Sequence, residues 1–127
     1  MATTMRLRGL DGLAMSLSGL CLVHCLALPV LALGLPILGI FAEAEWVHWL
    51  LVGLAAPVSM LALLGASARR SWGLVATALI GLCLLLAGAA GWPDHDWETA
   101  LTVAGGLVLA SVHWANWRRT RHVHARA

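Results

Sequence analysis

Long apolar segments alternate with short polar connections along this chain. Four apolar segments are predicted, at residues 13–35, 47–64, 72–90 and 100–117. A helix needs about 20 apolar residues to cross the hydrocarbon core of a bilayer, and these segments approach that length. Short connections make neighbouring helices antiparallel. The pattern predicts an all-α integral membrane protein, in which one domain over residues 1–127 folds as an up-down bundle of four transmembrane helices.

Composition supports a membrane protein. The 127 residues are 61% hydrophobic and 11% charged, whereas a soluble domain is about half apolar and a quarter charged. Arg6 and Arg8 precede the first segment as in a secretory signal, but the apolar run is much longer than a signal's, so we interpret it as a retained span. The three cysteines are odd in number and two share one helix, which is not typical of an extracellular disulfide framework.

The distribution of charge predicts an orientation. Arginines precede the first span, separate the second from the third, and follow the fourth, whereas the other two connections are acidic. The arginines are Arg6, Arg8, Arg69, Arg70, Arg118, Arg119, Arg121 and Arg126, and the acidic residues are Glu43, Glu45, Asp94, Asp96 and Glu98. The positive-inside rule therefore places both termini in the cytoplasm. The seven tryptophans fall at predicted span ends, where an aromatic belt forms.

Two thiols and an imidazole lie within the first span. Cys21, His24 and Cys25 would project within an arc of about 100° on an α-helix. Thiolates select soft cations, and imidazole suits zinc, copper and similar ions. An ionisable residue inside a span also indicates function. We therefore predict a metal site at Cys21, Cys25 and His24. The alternative is that the cysteines are inert packing, because free cysteine often behaves as a small buried hydrophobe.

Small and polar residues predict which helix faces point inwards. The inward face of span one is predicted to carry Asp11, Ala14, Ser18, Cys21 and Cys25. Small residues at helical spacing allow close approach of helices in lipid. Such stripes are Gly73, Thr77, Gly81 and Gly88 in span three, and Thr102, Gly106, Ala110 and His113 in span four. Pro29, Pro36 and Pro57 are expected to kink spans one and two.

Asp11 and His113 have two interpretations each. Asp11 is favoured as the N-cap of span one, and the alternative is a pairing with His113 or Arg118. From the rise per residue, His113 is about 6 Å deep from the inner end and Cys21 about 15 Å deep. His113 is thus predicted as a second metal station towards the cytoplasm or, alternatively, as a histidine bonded to a neighbouring helix.

The outer connections and the tail carry further polar groups. The outer residues Glu43, Glu45, His48, Asp94, His95, Asp96 and Glu98 could concentrate cations at an outer mouth or bind a borderline metal weakly. A solvated loop with Asp94 as a helix cap is the favoured interpretation. His122 and His124 lie in the basic tail, which we interpret mainly as part of the positive-inside signal.

The first span resembles the opening of MerC-domain proteins. The similarity lies in Asp11-Gly12 and in the stretch Ser18-Gly19-Leu20-Cys21-Leu22-Val23-His24-Cys25-Leu26-Ala27-Leu28-Pro29, and His113-Trp114-Ala115-Asn116-Trp117-Arg118 resembles the end of the fourth helix of that family. The resemblance implies a multi-pass protein of the bacterial inner membrane that carries Hg(II) inwards to a cytosolic acceptor or reductase. It implies that Cys21 and Cys25 form the thiol pair that receives the ion.

Two features depart from the mercury transporters of that family. Those transporters have a tighter cysteine pair in span one and a second pair near the cytoplasmic end. This tail contains no cysteine, only His122 and His124. The identity of the metal and its hand-over to a reductase are therefore left open by the resemblance.

The sequence is compatible with three functions. The leading hypothesis is transport of a mercuric or other soft metal ion, with the bilayer as surroundings, no bound cofactor and no nucleic-acid partner. The alternatives are a thiol-based redox or sensing module, and a structural accessory membrane subunit with inert thiols. Enzyme activity is not predicted, because no oxyanion-hole pattern accompanies the thiols.

Overall fold

The computed structural model describes the backbone of residues 2–42, 44–64 and 71–124, and the side chains of residues 9–41, 44–63 and 71–119. The helices are α1 (Ala2–Leu22), α2 (Leu28–Gly34), α3 (Gly39–Ala42), α4 (Glu45–Leu64), α5 (Trp72–Ala89) and α6 (Glu98–His124). A π-helical turn, Val23–Ala27, joins α1 to α2, and 3-10 turns occupy Pro36–Leu38 and His95–Trp97. The regular structure of the described residues is entirely helical, which confirms the predicted all-α class.

The four long helices pack in a ring. Helix α1 contacts α4 and α6, and α5 contacts the same two helices from the other side. The core where they meet contains Leu51, Leu82, Leu85, Leu109 and Val112, all buried. Each long helix therefore buries one face against two neighbours, as the predicted bundle requires.

Three helical segments are long and apolar enough to cross a membrane. They are Gly9–Gly34, Glu45–Leu63 and Trp72–Ala89, and they coincide with the first three predicted spans. Helix α6 is not among them, and it carries the polar residues His113 and Asn116. That α6 is a fourth span, and that both termini are cytoplasmic, stay predictions.

Part of the charge pattern lies outside the described residues. Glu43, Arg69 and Arg70 are outside them, as are the side chains of Arg6, Arg8, Arg121, Arg126, His122 and His124. Arg118 and Arg119 are described and lie near the end of α6. The Arg118 guanidinium stacks 4.7 Å from the centre of the Trp114 ring, so the tryptophan and the arginine form one surface feature there.

Most of the tryptophans are at the surface. Six of the seven are largely exposed, namely Trp46, Trp49, Trp72, Trp92, Trp97 and Trp114. Trp117 is half-buried. The tryptophans of α4, of α5 and of the connection from α5 to α6 lie at or beside helix ends, as an interfacial belt requires, whereas Trp114 and Trp117 lie ten and seven residues before the end of α6.

The π-helical turn lies immediately before Pro29. Proline has no N–H, and in a regular α-helix its ring clashes with the carbonyl of the residue four positions earlier, here Cys25. The chain instead bonds the Leu28 N–H to the carbonyl of Val23, five positions back. The wider turn thus relieves the clash that Pro29 creates. The predicted disturbance in span one takes this form, and it occurs at the cysteines.

Close packing of α5 on α6 depends on small residues. A Cβ at Gly88 would lie 2.6 Å from Thr102 Cγ2, and one at Gly105 would lie 2.7 Å from the carbonyl oxygen of Gly81. Gly81 and Gly88 were predicted for this role, and Gly105 was not. The glycines let the two backbones approach to a distance that any side chain would prevent.

The remainder of the predicted small-residue stripes is placed differently. Gly73 and Thr77 are exposed, so they do not pack within this chain, and the alternative that the small-residue faces of spans three and four serve a dimer stays a prediction. The Thr77 hydroxyl instead donates to the Gly73 carbonyl, at 2.8 Å. Gly106 faces α1, where a Cβ would be 3.7 Å from Leu22. The spacing of small residues along one helix does not show which of two neighbouring helices that face contacts.

Candidate metal-binding site

The two cysteines of the first span meet inside the bundle. Cys21 and Cys25 are each 5% exposed, and their Sγ atoms are 3.9 Å apart. Asp11, Ala14 and Ser18, the other members of the predicted inward face, are buried as well. The predicted convergence of the two thiols on the bundle interior is therefore observed.

Cys25 also contacts side chains from two other helices. Its Sγ is 3.4 Å from Nε2 of His48 on α4 and 3.2 Å from Oγ1 of Thr102 on α6. The Thr102 hydroxyl donates to the carbonyls of Glu98 and Thr99, at 2.8 and 3.1 Å. Because its one hydrogen is directed there, the Thr102 oxygen is free to accept from the Cys25 thiol.

A carboxylate lies behind His48. The Nδ1 atom of His48 is 2.7 Å from Oε1 of Glu98, the first residue of α6. The contact is close enough for an ion pair but lacks the geometry of a hydrogen bond. His95, which is mostly exposed, lies 3.7 Å from the other oxygen of Glu98. Cys25, His48 and Glu98 thus form a line from the thiol pair to the bundle end.

His24 lies beside the thiol site. Its ring meets the His48 ring edge to face, with centres 4.9 Å apart. His24 is buried, and its Nε2 finds no hydrogen-bond partner among the described residues. A buried polar atom without a partner is costly, so this nitrogen is a ready donor for a ligand.

Two members of the site were given another interpretation from sequence. The favoured interpretation of the sequence placed His48 and Glu98 in a solvated outer loop. Both residues belong to helices, and His48 is buried. That interpretation is wrong for these two residues, whereas Asp94, His95 and Asp96 are exposed as it requires. The available signal was position, because His48 lies inside the predicted span 47–64 and Glu98 lies two residues before the predicted span 100–117.

The thiol site lies near one end of the bundle. His48 is the fourth residue of α4 and Thr102 the fifth of α6, so both are about 5 Å from the start of their helices. Cys25 lies well inside the first apolar segment of the sequence because that segment continues to Gly34, beyond the helix bundle. Within α2 no residue is buried.

A second polar cluster lies deeper in the same bundle. His113 Nδ1 is 2.9 Å from Asp11 Oδ1, and His113 Nε2 is 3.0 Å from Ser59 Oγ. The Asn116 amide donates to Asp11 Oδ2 at 2.8 Å. Asp11 does not cap the first helix, because α1 begins at Ala2. The favoured capping interpretation is wrong, and the alternative pairing with His113 is correct.

His113 is therefore not beside the cysteines. On α4, Ser59 follows His48 by eleven residues, and on α6 His113 follows Thr102 by eleven, which corresponds to about 16 Å along each helix. Both ring nitrogens of His113 already have partners. Its predicted role as a metal station is compatible only with a rearrangement of this cluster.

A small cavity separates the two polar sites. It has a volume of about 10 Å³, close to that of a single water. It is lined by Leu17, Ser18, Cys21, Leu51, Val52, Ala55, Leu85 and Gly106. Cys21 therefore faces Cys25 on one side and this void on the other.

The described residues offer few groups that could bind a metal ion. All three cysteines are free thiols, and Cys83 is exposed on α5, whereas the pair is buried. Among the side chains that the structure describes, no three of His, Cys, Asp or Glu are already arranged to hold a metal ion. The arrangement is thus a thiol pair with an imidazole next to one member, able to bind a soft cation that accepts few ligands.

Comparison with known proteins assigns the family. The family model of the MerC mercury resistance protein matches residues 11–118, which is most of the chain and includes both polar sites. No curated protein and no solved structure matches the chain. The chain, a membrane protein by its apolar helices, therefore belongs to the MerC mercury resistance family.

Proposed function

We propose that this protein carries a soft metal ion, with Hg(II) as the first candidate, across the bacterial inner membrane by way of Cys21 and Cys25. The observation that supports the proposal most strongly is the buried thiol pair, with its Sγ atoms 3.9 Å apart. Sulfur–metal bonds of about 2.3 Å, as for zinc, allow two sulfurs at this separation to bind one ion.

Charge favours a thiol pair for this task. Each thiol loses its proton when it bonds the metal, so two thiolates and one divalent ion form a neutral unit. An uncompensated charge inside a bilayer costs several kcal/mol or more, and the neutral unit avoids that cost. Exchange of one sulfur ligand for another, as in thiol–disulfide exchange, then allows the ion to move without ever being bare.

The route that we propose has a direction. The ion enters at the end where α4 and α6 begin, near the acidic residues, and binds Cys25 and Cys21. It leaves past the cavity below Cys21 and the His113 cluster towards a cytosolic acceptor or reductase. The route requires α6 to be a fourth span with both termini cytoplasmic, so reporters fused to the two ends should lie on the same side.

We infer that the protein binds and transfers its ion without chemical conversion of it. A redox or sensing module is the alternative. It is less favoured because the two cysteines lie four residues apart on one continuous helical segment, where a disulfide would be strained.

Uptake of Hg(II) by cells that express the protein tests the proposal. The variants are Cys21→Ser with Cys25→Ser, and Cys83→Ser as the matched control, because Cys83 is exposed on α5 whereas the pair is buried. We expect the double variant to lose protein-dependent uptake and the control to keep it, at equal amounts of protein in the membrane. Equal uptake by the double variant and the wild type would contradict the proposal.

A further inference from the structure

We propose that His48 is a third ligand of the transported ion and that Glu98 holds its ring in position, an inference that rests on the proposed function of the thiol pair. The donor set would then include two thiolates from the first helical segment and one imidazole from α4, with His24 beside them. Sequence spacing assigns no such role to His48, because it lies on another helix.

Two of the three donor-to-donor distances, those that involve Cys25, fit a shared ion, although the three side chains are not yet arranged around one. Ligand bonds of about 2.3 Å to sulfur and 2.1 Å to nitrogen place the donor atoms around a zinc-like ion. With these lengths, the Sγ–Sγ separation of 3.9 Å subtends about 115° at the ion, and the 3.4 Å between Cys25 Sγ and His48 Nε2 subtends about 100°. Both angles are close to those of a tetrahedral site, with Cys25 as the common ligand.

The opposite side of the His48 ring supports the same role. A metal-binding histidine almost always presents its second nitrogen to a carboxylate, carbonyl or water, which fixes the ring orientation. Here Nε2 faces the thiol of Cys25, and Nδ1 lies 2.7 Å from the Glu98 carboxylate, within ion-pair distance but outside hydrogen-bond geometry. The His24 ring packs on His48 from the side, which further limits rotation of the imidazole.

A mixed donor set changes which ions the site accepts. Two thiolates alone favour thiophilic ions of low coordination number, whereas an added imidazole suits borderline divalent ions such as zinc, cadmium and cobalt. We therefore expect the site to bind a borderline ion near-tetrahedrally through these three donors, with the fourth position left to another ligand. Binding would also link the first helical segment to α4.

Cobalt is the probe for this donor set. Co(II) is titrated into purified Cys83→Ser protein, in which the thiolate-to-cobalt absorption reports the number of sulfur ligands and the d–d bands report coordination. His48→Gln should weaken Co(II) binding by at least about tenfold and shift the d–d bands. Glu98→Gln should weaken binding by about ten- to a hundredfold, the usual effect of losing an outer partner. The matched control is His95→Gln, an exposed histidine that also approaches Glu98, and it should change neither quantity.

A gain of signal complements these losses. His48→Cys should supply a third thiolate and raise the charge-transfer intensity by about one half, because that intensity follows the number of sulfur ligands. The proposal is overturned if His48→Gln keeps the affinity and bands of the background protein, or if His48→Cys stays at the two-thiolate intensity. The Cys21→Ser/Cys25→Ser double variant separates the two proposals. Undiminished Co(II) binding there would overturn the thiol site itself, whereas loss of binding there with normal His48 variants would overturn only the role of His48.

Discussion

Asp11 is completely buried, and yet both of its oxygens have partners. One oxygen accepts from His113 and the other from Asn116. Because a carboxylate oxygen only accepts, Nδ1 of His113 donates to Asp11, and Nε2 shares a hydrogen bond with the Ser59 hydroxyl. A polar group in a bilayer interior is tolerated only when it is satisfied in this way. The cluster therefore stabilises the junction of α1, α4 and α6 at the residue level.

Replacement of Ser59 tests how much this cluster stabilises the fold. Ser59→Ala leaves His113 Nε2 buried without a partner, which should lower the free energy of unfolding by about 1–3 kcal/mol. Ser16→Ala is the matched control, because the exposed Ser16 hydroxyl bonds only a carbonyl of its own helix. Denaturant titration in detergent measures both. Equal stability of the two variants would show that the cluster contributes little.

The residue-scale features differ in how far sequence could predict them. The inward face of the first span follows from helical period alone, and Asp11, Ser18 and Cys21 are buried as predicted. The contacts of Cys25 with His48 and Thr102 could not be predicted, because they join three helices separated by long stretches of sequence. The helical period of a sequence predicts the direction in which a side chain points, but it does not predict which residue on another helix that side chain contacts.

At the scale of the element, Pro29 shapes the metal site. Its ring excludes a regular α-helical turn, and the π-helical turn Val23–Ala27 that results contains His24 and Cys25. Sequence predicted a disturbance at this proline but placed the cysteines on a regular helix. The type of local structure at this proline could not be predicted from sequence, because proline is compatible with a kink, a π-turn or a helix end.

The α5–α6 pair yields a prediction at the same scale. Gly105→Ala places a Cβ 2.7 Å from the Gly81 carbonyl oxygen and 2.9 Å from the Leu85 nitrogen. Backbone atoms cannot yield as a side chain does, so the helices must separate, at a cost of about 1–3 kcal/mol in the free energy of unfolding.

Gly53→Ala provides the control for this substitution. Gly53 lies in α4, and a Cβ added there would have nothing within 4 Å. Alanine at this position should therefore be neutral or slightly stabilising because of its better helix propensity. Thermal unfolding in detergent compares the two. A Gly105→Ala protein as stable as Gly53→Ala would contradict the close approach of α5 and α6.

At the scale of the whole molecule, two buried polar sites are stacked along one bundle. The thiol site lies within one turn of the start of α4 and α6, and the Asp11–His113 cluster lies about 16 Å further along both helices. The cavity between them is only the size of one water. An ion held at the first site is thus separated from the second by packed side chains, which must move before it can pass.

Sequence predicted the helical class, the first three spans and the thiol pair, because each depends on a local pattern. The stacking of two sites depends on the register between helices, which no local pattern encodes. The partnership of α6 with α1 shows this well, since Asp11 and His113 are 102 positions apart in sequence.

The most direct test of the central claim is the mass of the metal-loaded protein. Purified Cys83→Ser protein, exposed to one equivalent of Hg(II), should gain the mass of one mercury ion less two protons, because each of the two thiols exchanges its proton for a bond to the ion. The same protein with Cys21→Ser and Cys25→Ser should gain nothing. An equal gain by both proteins would contradict a metal site at the buried thiol pair.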